Sequence, residues 1–179
     1  MMSMAGLDDG ADTFAPVIKS TQQRSVWLGI NLITALLAVA VTSMFEGIFE
    51  QLAILAVLNS LVPSMGGVAG NQTLTLVIRG LALGHIGDSN AKALLYKELA
   101  VGFLNGLIWA ILIAGVVAIW KQDLALGGVI AFAMLMNMTA AGLAGVSIPL
   151  VLKRMNIDPA LAGTVILTTI TDVVGIFAF

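Results

Sequence analysis

The amino-acid sequence predicts an all-α membrane protein with five transmembrane helices. Hydrophobic residues make up 59% of its 179 residues and charged residues only 10%, whereas a soluble domain has about 25% charged residues. The mean hydropathy is +1.04. Apolar segments that can supply the roughly 20 residues needed to cross the hydrocarbon core recur five times. Together these observations indicate an integral membrane protein.

The predicted spans follow one another with short polar connections. They are residues 26–45, part of 52–83, 99–120, 124–152 and 159–179. The fifth opens with Asp158 and Pro159, and an acid at the N-cap followed by proline is a common helix start. As a cap Asp158 needs no other role. Beside a cation pathway it would also recruit ions at the cytoplasmic mouth.

The N-terminal segment, residues 1–24, is polar enough to lie outside the bilayer, and residues 25–179 form the predicted membrane domain. The first 15 residues are acidic and lack the basic segment and apolar core of a secretory signal. We therefore expect residues 1–24 to be a cytoplasmic linker with at most a short amphipathic helix.

The basic residues predict the orientation, because short loops rich in Lys and Arg remain cytoplasmic. They lie before span one, between spans two and three, and between spans four and five. These residues are Lys19, Arg24, Arg79, Lys92, Lys97, Lys153 and Arg154. The alternate loops have only Lys121, beside acidic residues. We expect the N-terminus to be cytoplasmic and the C-terminus to lie outside.

Small residues at helix-packing spacing occur in spans three and four. Gly102 is four residues before Gly106, and Ala141 is four residues before Gly145. This spacing favours helix contacts within one subunit, with contacts between subunits as the alternative. The methionines of span four, Met134, Met136 and Met138, are expected to face lipid or fill the core.

Asp172 is the residue most indicative of function. It lies thirteen residues past Pro159, which places it roughly 20 Å along the fifth helix, near mid-bilayer. A carboxylate there costs at least about 2.5 to 3.5 kcal/mol unless it faces protein, water or an ion. A hydrogen-bonded structural Asp is one interpretation, and an ion or proton pathway is the one we favour.

The neighbours of Asp172 favour a hydrated cation. Thr164, Thr168 and Asp172 are four residues apart, with Gly175 following, so they form one polar stripe along the helix. Hydroxyls and a carboxylate are hard oxygen ligands that suit Mg²⁺, which gives up its water reluctantly. Each Thr alone is more often bonded to its own helix backbone.

The segment from Pro63 to Leu76 interrupts apolar sequence with glycines and amides. This composition is typical of a broken or closely packed helix, and non-helical or closely packed backbone at membrane depth is tolerated only where it is buried in protein or lines water. We expect it to face a pathway or a tight helix contact, with the backbone at Gly66 and Gly67 near the fifth helix.

Three further charged or titratable positions complete the candidates. Glu46 and Glu50, one turn apart after span one, could form an outer funnel for divalent cations or simply be solvated. Glu98 follows Lys97 and is expected to make a local ion pair or reach to the interface. His85 has no second His or Cys near it, which argues against a transition-metal site.

Composition also excludes several functions. The chain has no cysteine, so it offers no thiolate metal site or catalytic thiol, and a net charge of −2 gives no basis for nucleic-acid binding. An intramembrane aspartyl protease needs two facing acids, commonly with a Gly-x-Gly-Asp motif, and that motif is absent. We expect no enzyme activity. An ion-coupled secondary transporter of divalent cations remains the alternative to a channel.

Four sequence blocks resemble the membrane domain of MgtE-type magnesium channels. They are PSMGGVAGNQTLTLVIRGLALG (63–84), KELAVG (97–102), MNIDPALAG (155–163) and TTITDVVG (168–175). The resemblance extends over the chain from about residue 13. One departure is Val68, which stands where many members have Asn.

This resemblance implies a homodimer in the bacterial inner membrane, with five transmembrane helices per subunit and a pore at the dimer interface. Hydrated Mg²⁺ would pass down its electrochemical gradient, bound by Asp172 of both subunits. Thr168 and Thr164 match the preceding turns, and Asp158 matches an acid near a cytoplasmic ion site. The family also implies cytosolic N-terminal and CBS regulatory domains, which these 179 residues do not include. Residues 13–24 resemble the end of the helix that couples them to the pore.

Overall fold

Five α-helices form the fold in the computed structural model, which describes residues 16–45, 58, 60–87 and 89–179. They are α1 (Val17–Ser43), α2 (Leu61–Ala82), α3 (Ala91–Lys121), α4 (Leu124–Arg154) and α5 (Pro159–Phe177). Each predicted span corresponds to one helix, so the all-helical prediction is confirmed for the described part of the chain.

Three of these helices are long and apolar enough to cross a membrane. They contain the spans Arg24–Ser43, Ala91–Lys121 and Leu124–Arg154. The fifth helix has a shorter apolar stretch, Ala162–Phe177. The second helix, α2, contains small and polar residues, which lower its mean hydropathy without ending the helix. The helices are those of a membrane protein.

The first helix extends further towards the N-terminus than the sequence predicted. It begins at Val17 and continues without a break past residue 24, where we placed the boundary of the membrane domain. The last residues of the predicted linker are therefore the first turns of the same helix. At its other end, Phe45 contacts Phe177 edge-to-face at 5.5 Å between ring centroids, which ties α1 to α5.

The fourth helix is the centre of the fold. It packs against α2, α3 and α5, whereas α1 packs against α5 and is almost entirely exposed. Met134 and Met138 are buried in the core and Met136 is largely exposed, so the predicted methionines divide between core and surface.

Glycines allow α3 and α4 to pack closely against each other. A Cβ built on Gly102 would lie 2.8 Å from the carbonyl oxygen of Met138, and one on Gly142 would lie 2.8 Å from that of Glu98. Gly106 is similarly covered by Leu135. These contacts join helices of one subunit, as the small-residue spacing indicated.

Candidate cation site

The site is built on an antiparallel contact between α2 and α5. Four residues on α2 face four on α5 in order, and one member of each pair is a glycine. The pairs are Pro63 with Gly175, Gly67 with Thr171, Gly70 with Leu167, and Leu74 with Gly163. A glycine in each pair leaves room for the opposing side chain, so the two helices pack closely beside Asp172.

The tightness of this contact varies along its length. A Cβ on Gly70 would lie 2.8 Å from Cδ1 of Leu167, and one on Gly175 would lie 2.7 Å from Cγ of Pro63. At Gly67 the nearest atom is the Thr171 hydroxyl oxygen, at 3.8 Å, which is ordinary van der Waals distance. The contact is therefore loosest at the level of Thr171 and its neighbour Asp172.

Asp172 is half-buried in α5, one position beyond the fully buried Thr171. Within the described ranges it makes no hydrogen bond or ion pair, and no three His, Cys, Asp or Glu side chains come together as a metal-binding group. A cation at Asp172 would therefore need further oxygen ligands from water, hydroxyls, carbonyls or another chain. This donor chemistry suits a hard cation that keeps much of its hydration shell.

The threonines of the predicted stripe bond to their own helix. Thr168 Oγ1 donates to the carbonyl of Thr164 at 2.9 Å, and Thr171 Oγ1 donates to that of Thr168 at 3.0 Å. This is the structural alternative raised above for a threonine in a membrane helix. Thr164 and Thr168 are nevertheless half-buried like Asp172, and a hydroxyl that donates can still accept or bind a cation through its lone pairs.

Gly66 and Gly67 face different helices. The segment from Pro63 to Leu76 lies entirely inside α2, so its backbone is helical and closely packed rather than broken. Gly66 is covered by the side chain of Asn137 on α4, whereas Gly67 faces Thr171 on α5. The structure thus places Gly67 beside the residue that precedes Asp172 and directs Gly66 away from it.

Asp158 caps α5, as predicted. Its Oδ1 accepts a hydrogen bond from the Ala160 backbone N–H at 2.9 Å, and Pro159 occupies the first helical position. The carboxylate is exposed and lies fourteen residues before Asp172, roughly 20 Å along the helix. The structure does not bring the two acids together in one chain. Glu46 and Glu50 lie outside the described residues.

A buried amide beside the site went unnoticed in the sequence. Asn137 on α4 is fully buried, and its Nδ2 donates to the carbonyl of Val62 at 2.7 Å, just before Pro63. Its Oδ1 has no hydrogen-bond partner among the described residues. The isolated Asn in an otherwise apolar span was the signal, and its partner is 75 positions away along the chain.

Glu98 makes a hydrogen bond to another helix in addition to the local ion pair that we predicted. Lys97 Nζ does lie 3.2 Å from Glu98 Oε1, but the Glu98 side chain is only 6% exposed. Its Oε2 accepts a hydrogen bond from the Thr73 hydroxyl on α2 at 3.1 Å. The carboxylate therefore points inward and links α3 to the helix that carries the glycine contacts.

Val68, the position that departs from the resembled pattern, lies on α2 next to Gly67 and is 56% exposed. An apolar side chain therefore stands on the open surface beside the α2–α5 contact. Val68 therefore cannot make a polar contact that an Asn side chain could make at this position.

Comparison with known proteins places the chain among cation transporters. The MgtE family model, described as a divalent cation transporter, matches residues 59–179. The magnesium transporter MgtE of Enterococcus faecalis is 33% identical over 176 residues, which cover 98% of this chain and 39% of that protein. The magnesium transporter MgtE of Bacillus subtilis is 30% identical over 175 residues, covering 98% and 38%.

The magnesium transporter MgtE of Thermus thermophilus is 31% identical over 153 residues, which are 86% of this chain and 34% of that protein. The chain thus spans between 34% and 39% of the length of these relatives. The family match covers helices α2 to α5, including both sides of the glycine contact and Asp172. The chain belongs to the MgtE family of divalent cation transporters.

Proposed function

We propose that this chain forms the pore of a Mg²⁺ channel, in which two subunits bind a hydrated Mg²⁺ between their Asp172 side chains. The observation that carries the proposal is Asp172 itself, a half-buried acid in an apolar helix beside the loosest point of the α2–α5 contact. Family membership and the names of the relatives supply Mg²⁺ as the transported ion.

Electrostatics favours a second subunit at this site. A carboxylate inside a membrane needs water, a cation or a polar partner, and the described residues of one chain provide Asp172 with no hydrogen bond or ion pair. The two negative charges of the paired carboxylates would balance the two positive charges of a bound divalent cation. The half-buried Thr164 and Thr168 would then line the same path through their oxygen atoms.

The orientation follows from the basic residues, with the N-terminus cytoplasmic and the C-terminus outside. In that orientation the capping carboxylate of Asp158 lies at the inner mouth of the path and Asp172 lies further out. Mg²⁺ released from Asp172 would reach the cytoplasmic end near Asp158, which is exposed and negatively charged. Cytosolic regulatory domains of a longer protein would act from the same side.

Liposome flux tests the transport mechanism. The purified chain, reconstituted with a Mg²⁺ indicator inside the vesicles, should admit Mg²⁺ at a rate set only by the Mg²⁺ gradient and the membrane potential. Imposed proton or sodium gradients, with the potential clamped, should leave the rate unchanged. A rate that follows either gradient would favour the ion-coupled transporter instead.

Cysteine crosslinking tests the dimer, because the natural chain has no cysteine. Thr168→Cys lies one turn before Asp172, and a bifunctional thiol reagent long enough to span a path for hydrated Mg²⁺ should join the two subunits through it. A direct disulfide would require the two Cα atoms to lie within about 7 Å. Ile108→Cys, on the exposed face of α3 at 60% exposure, is the matched control. If the two positions crosslink equally, a shared pore at Asp172 is not supported.

A further inference from the structure

Two adjoining cavities lie at the end of the bundle where α2 ends, α3 begins and α4 ends. One has a volume of about 220 Å³ and is lined by Leu81, Ile86, Gly87, Leu150, Lys153 and Arg154. The other, of about 350 Å³, shares Ile86 and is lined also by His85, Asn90, Ala93, Leu94 and Lys97. Neither cavity belongs to the Asp172 site.

The wall between these cavities is built by an ordered loop. The Asn90 side chain accepts a hydrogen bond from the Gly87 N–H at 2.9 Å and donates to the carbonyl of His85 at 2.8 Å. The backbone N–H groups of His85 and Ile86 both donate to the carbonyl of Gly80. The Ile86 side chain also contacts Gly80. These hydrogen bonds hold residues 85–87 against Gly80 and Asn90 without help from a ligand.

Three of the lining residues that the structure describes are basic. Lys97, Lys153 and Arg154 line the two cavities, and none of the described lining residues is acidic. Lys97 already pairs with Glu98, and Arg154 has an interaction of its own within the chain. Lys153 is exposed at the cavity mouth and is the cation best placed to receive an anionic group.

Exposed apolar side chains lie close along the chain to the lining residues. Leu83, just beyond the end of α2, is 56% exposed, and Val151, which follows the lining residue Leu150 on α4, is 51% exposed. Tyr96, at 62% exposure, adds an amphipathic ring of the kind found at membrane interfaces. A ligand held here would place a charged group at Lys153 and hydrocarbon along the helices.

We propose that Ile86 and Gly87, together with the C-terminal end of α4, bind the phosphate of an anionic phospholipid, with Lys153 as the principal contact. Basic pockets between transmembrane helices on the cytoplasmic side are suited to anionic head groups. The proposal concerns a surface distinct from the ion path. It stands whether or not Asp172 carries Mg²⁺.

The test is lipid binding to the delipidated full chain, followed by native mass spectrometry. Phosphatidylglycerol should bind more tightly than phosphatidylcholine of the same acyl chains. Lys153→Gln should weaken the binding of phosphatidylglycerol about fivefold, which is the effect of one basic residue near the surface. It should leave the binding of phosphatidylcholine unchanged. Lys153→Arg should retain the binding. Lys92→Gln removes an exposed cation on the same side that lines neither cavity, and it is the matched control.

Three results of the binding experiment would overturn the proposal. The first is equal binding of the two lipids. The second is an equal loss in Lys92→Gln, which would indicate diffuse surface charge. The third is displacement of the lipid by inorganic phosphate at millimolar concentration, which would indicate a soluble anion. Photocrosslinking of wild type with a photoactivatable phosphatidylglycerol tests the site without a substitution. Crosslinks should fall within residues 81–87 and 150–154, and crosslinks confined to other segments would also contradict it.

Discussion

Leu167 fills the space that a side chain at Gly70 would need. A Cβ on Gly70 would lie 2.8 Å from Leu167 Cδ1 and 3.0 Å from Cδ2, and Leu167 is fully buried. The branched end of Leu167 therefore has little room to move. This contact lies at the middle of the α2–α5 register and holds the helix that carries Asp172 against the core.

Gly70→Ala should destabilise the protein, because overpacking a filled core typically costs about 1 to 3 kcal/mol. The measurement is thermal unfolding in detergent. Gly115→Ala on α3 is the matched control, since nothing lies within 4 Å of a Cβ at that position. Equal melting temperatures for the two variants would show that a methyl group at Gly70 fits beside Leu167, which would contradict the close contact.

Gly66 and Asn137 should show energetic coupling. A Cβ on Gly66 would lie 2.8 Å from the amide carbon of Asn137, so Gly66→Ala must displace a fully buried side chain. In an Asn137→Ala background that obstacle is gone, and Gly66→Ala should cost much less. We expect a coupling energy of about 1 kcal/mol or more between the two substitutions. Simple additivity of their unfolding free energies would contradict the contact.

Removing the Thr73 hydroxyl should weaken the contact between α2 and α3. Thr73→Val removes the hydroxyl that donates to Oε2 of the buried Glu98, and a hydrogen bond to a charged group contributes about 1.5 to 3 kcal/mol. Thr73→Ser should recover most of the stability, because it keeps the donor. If Thr73→Val is as stable as the wild type and Thr73→Ser is not, the methyl group and not the hydrogen bond stabilises this contact.

Substitutions at Asp158 should separate its capping role from an ionic one. Asp158→Ala removes the N-cap and should cost about 0.5 to 2 kcal/mol, whereas Asp158→Asn keeps a capping oxygen. If the carboxylate also recruits Mg²⁺, Asp158→Asn should unfold like wild type but need more Mg²⁺ for half-maximal flux in liposomes. Unchanged flux in Asp158→Asn would limit this residue to the cap.

The sequence predicted those features that depend on residues close together along the chain. Apolar length located five helices, and the Asp158–Pro159 pair marked the start of α5. It was less informative for α2, because Pro63 and the glycines suggest a broken helix. Packing against α4 and α5 overrides that weak local preference, and the segment is helical throughout.

The residues that sequence reasoning missed depend on distant partners. Glu98 was expected to pair only with Lys97 or to reach the interface, yet it is buried and accepts a hydrogen bond from Thr73, 25 positions earlier. Asn137 is fixed by the carbonyl of Val62 across the fold. The periodic pattern around either residue gives no sign of these partners, since the contacts form only when α2 packs against α4 and brings Thr73 within hydrogen-bond distance of α3.

Mg²⁺ flux through Asp172→Asn tests the central claim most directly. This substitution keeps the size and polarity of the side chain but removes its charge. Our account predicts a large loss of flux in liposomes at an equal Mg²⁺ gradient, with unfolding unchanged. Ile166→Ala, at a position of α5 that is 37% exposed, should conduct like wild type. Wild-type flux in Asp172→Asn, with unchanged selectivity among divalent cations, would contradict the proposed role of Asp172.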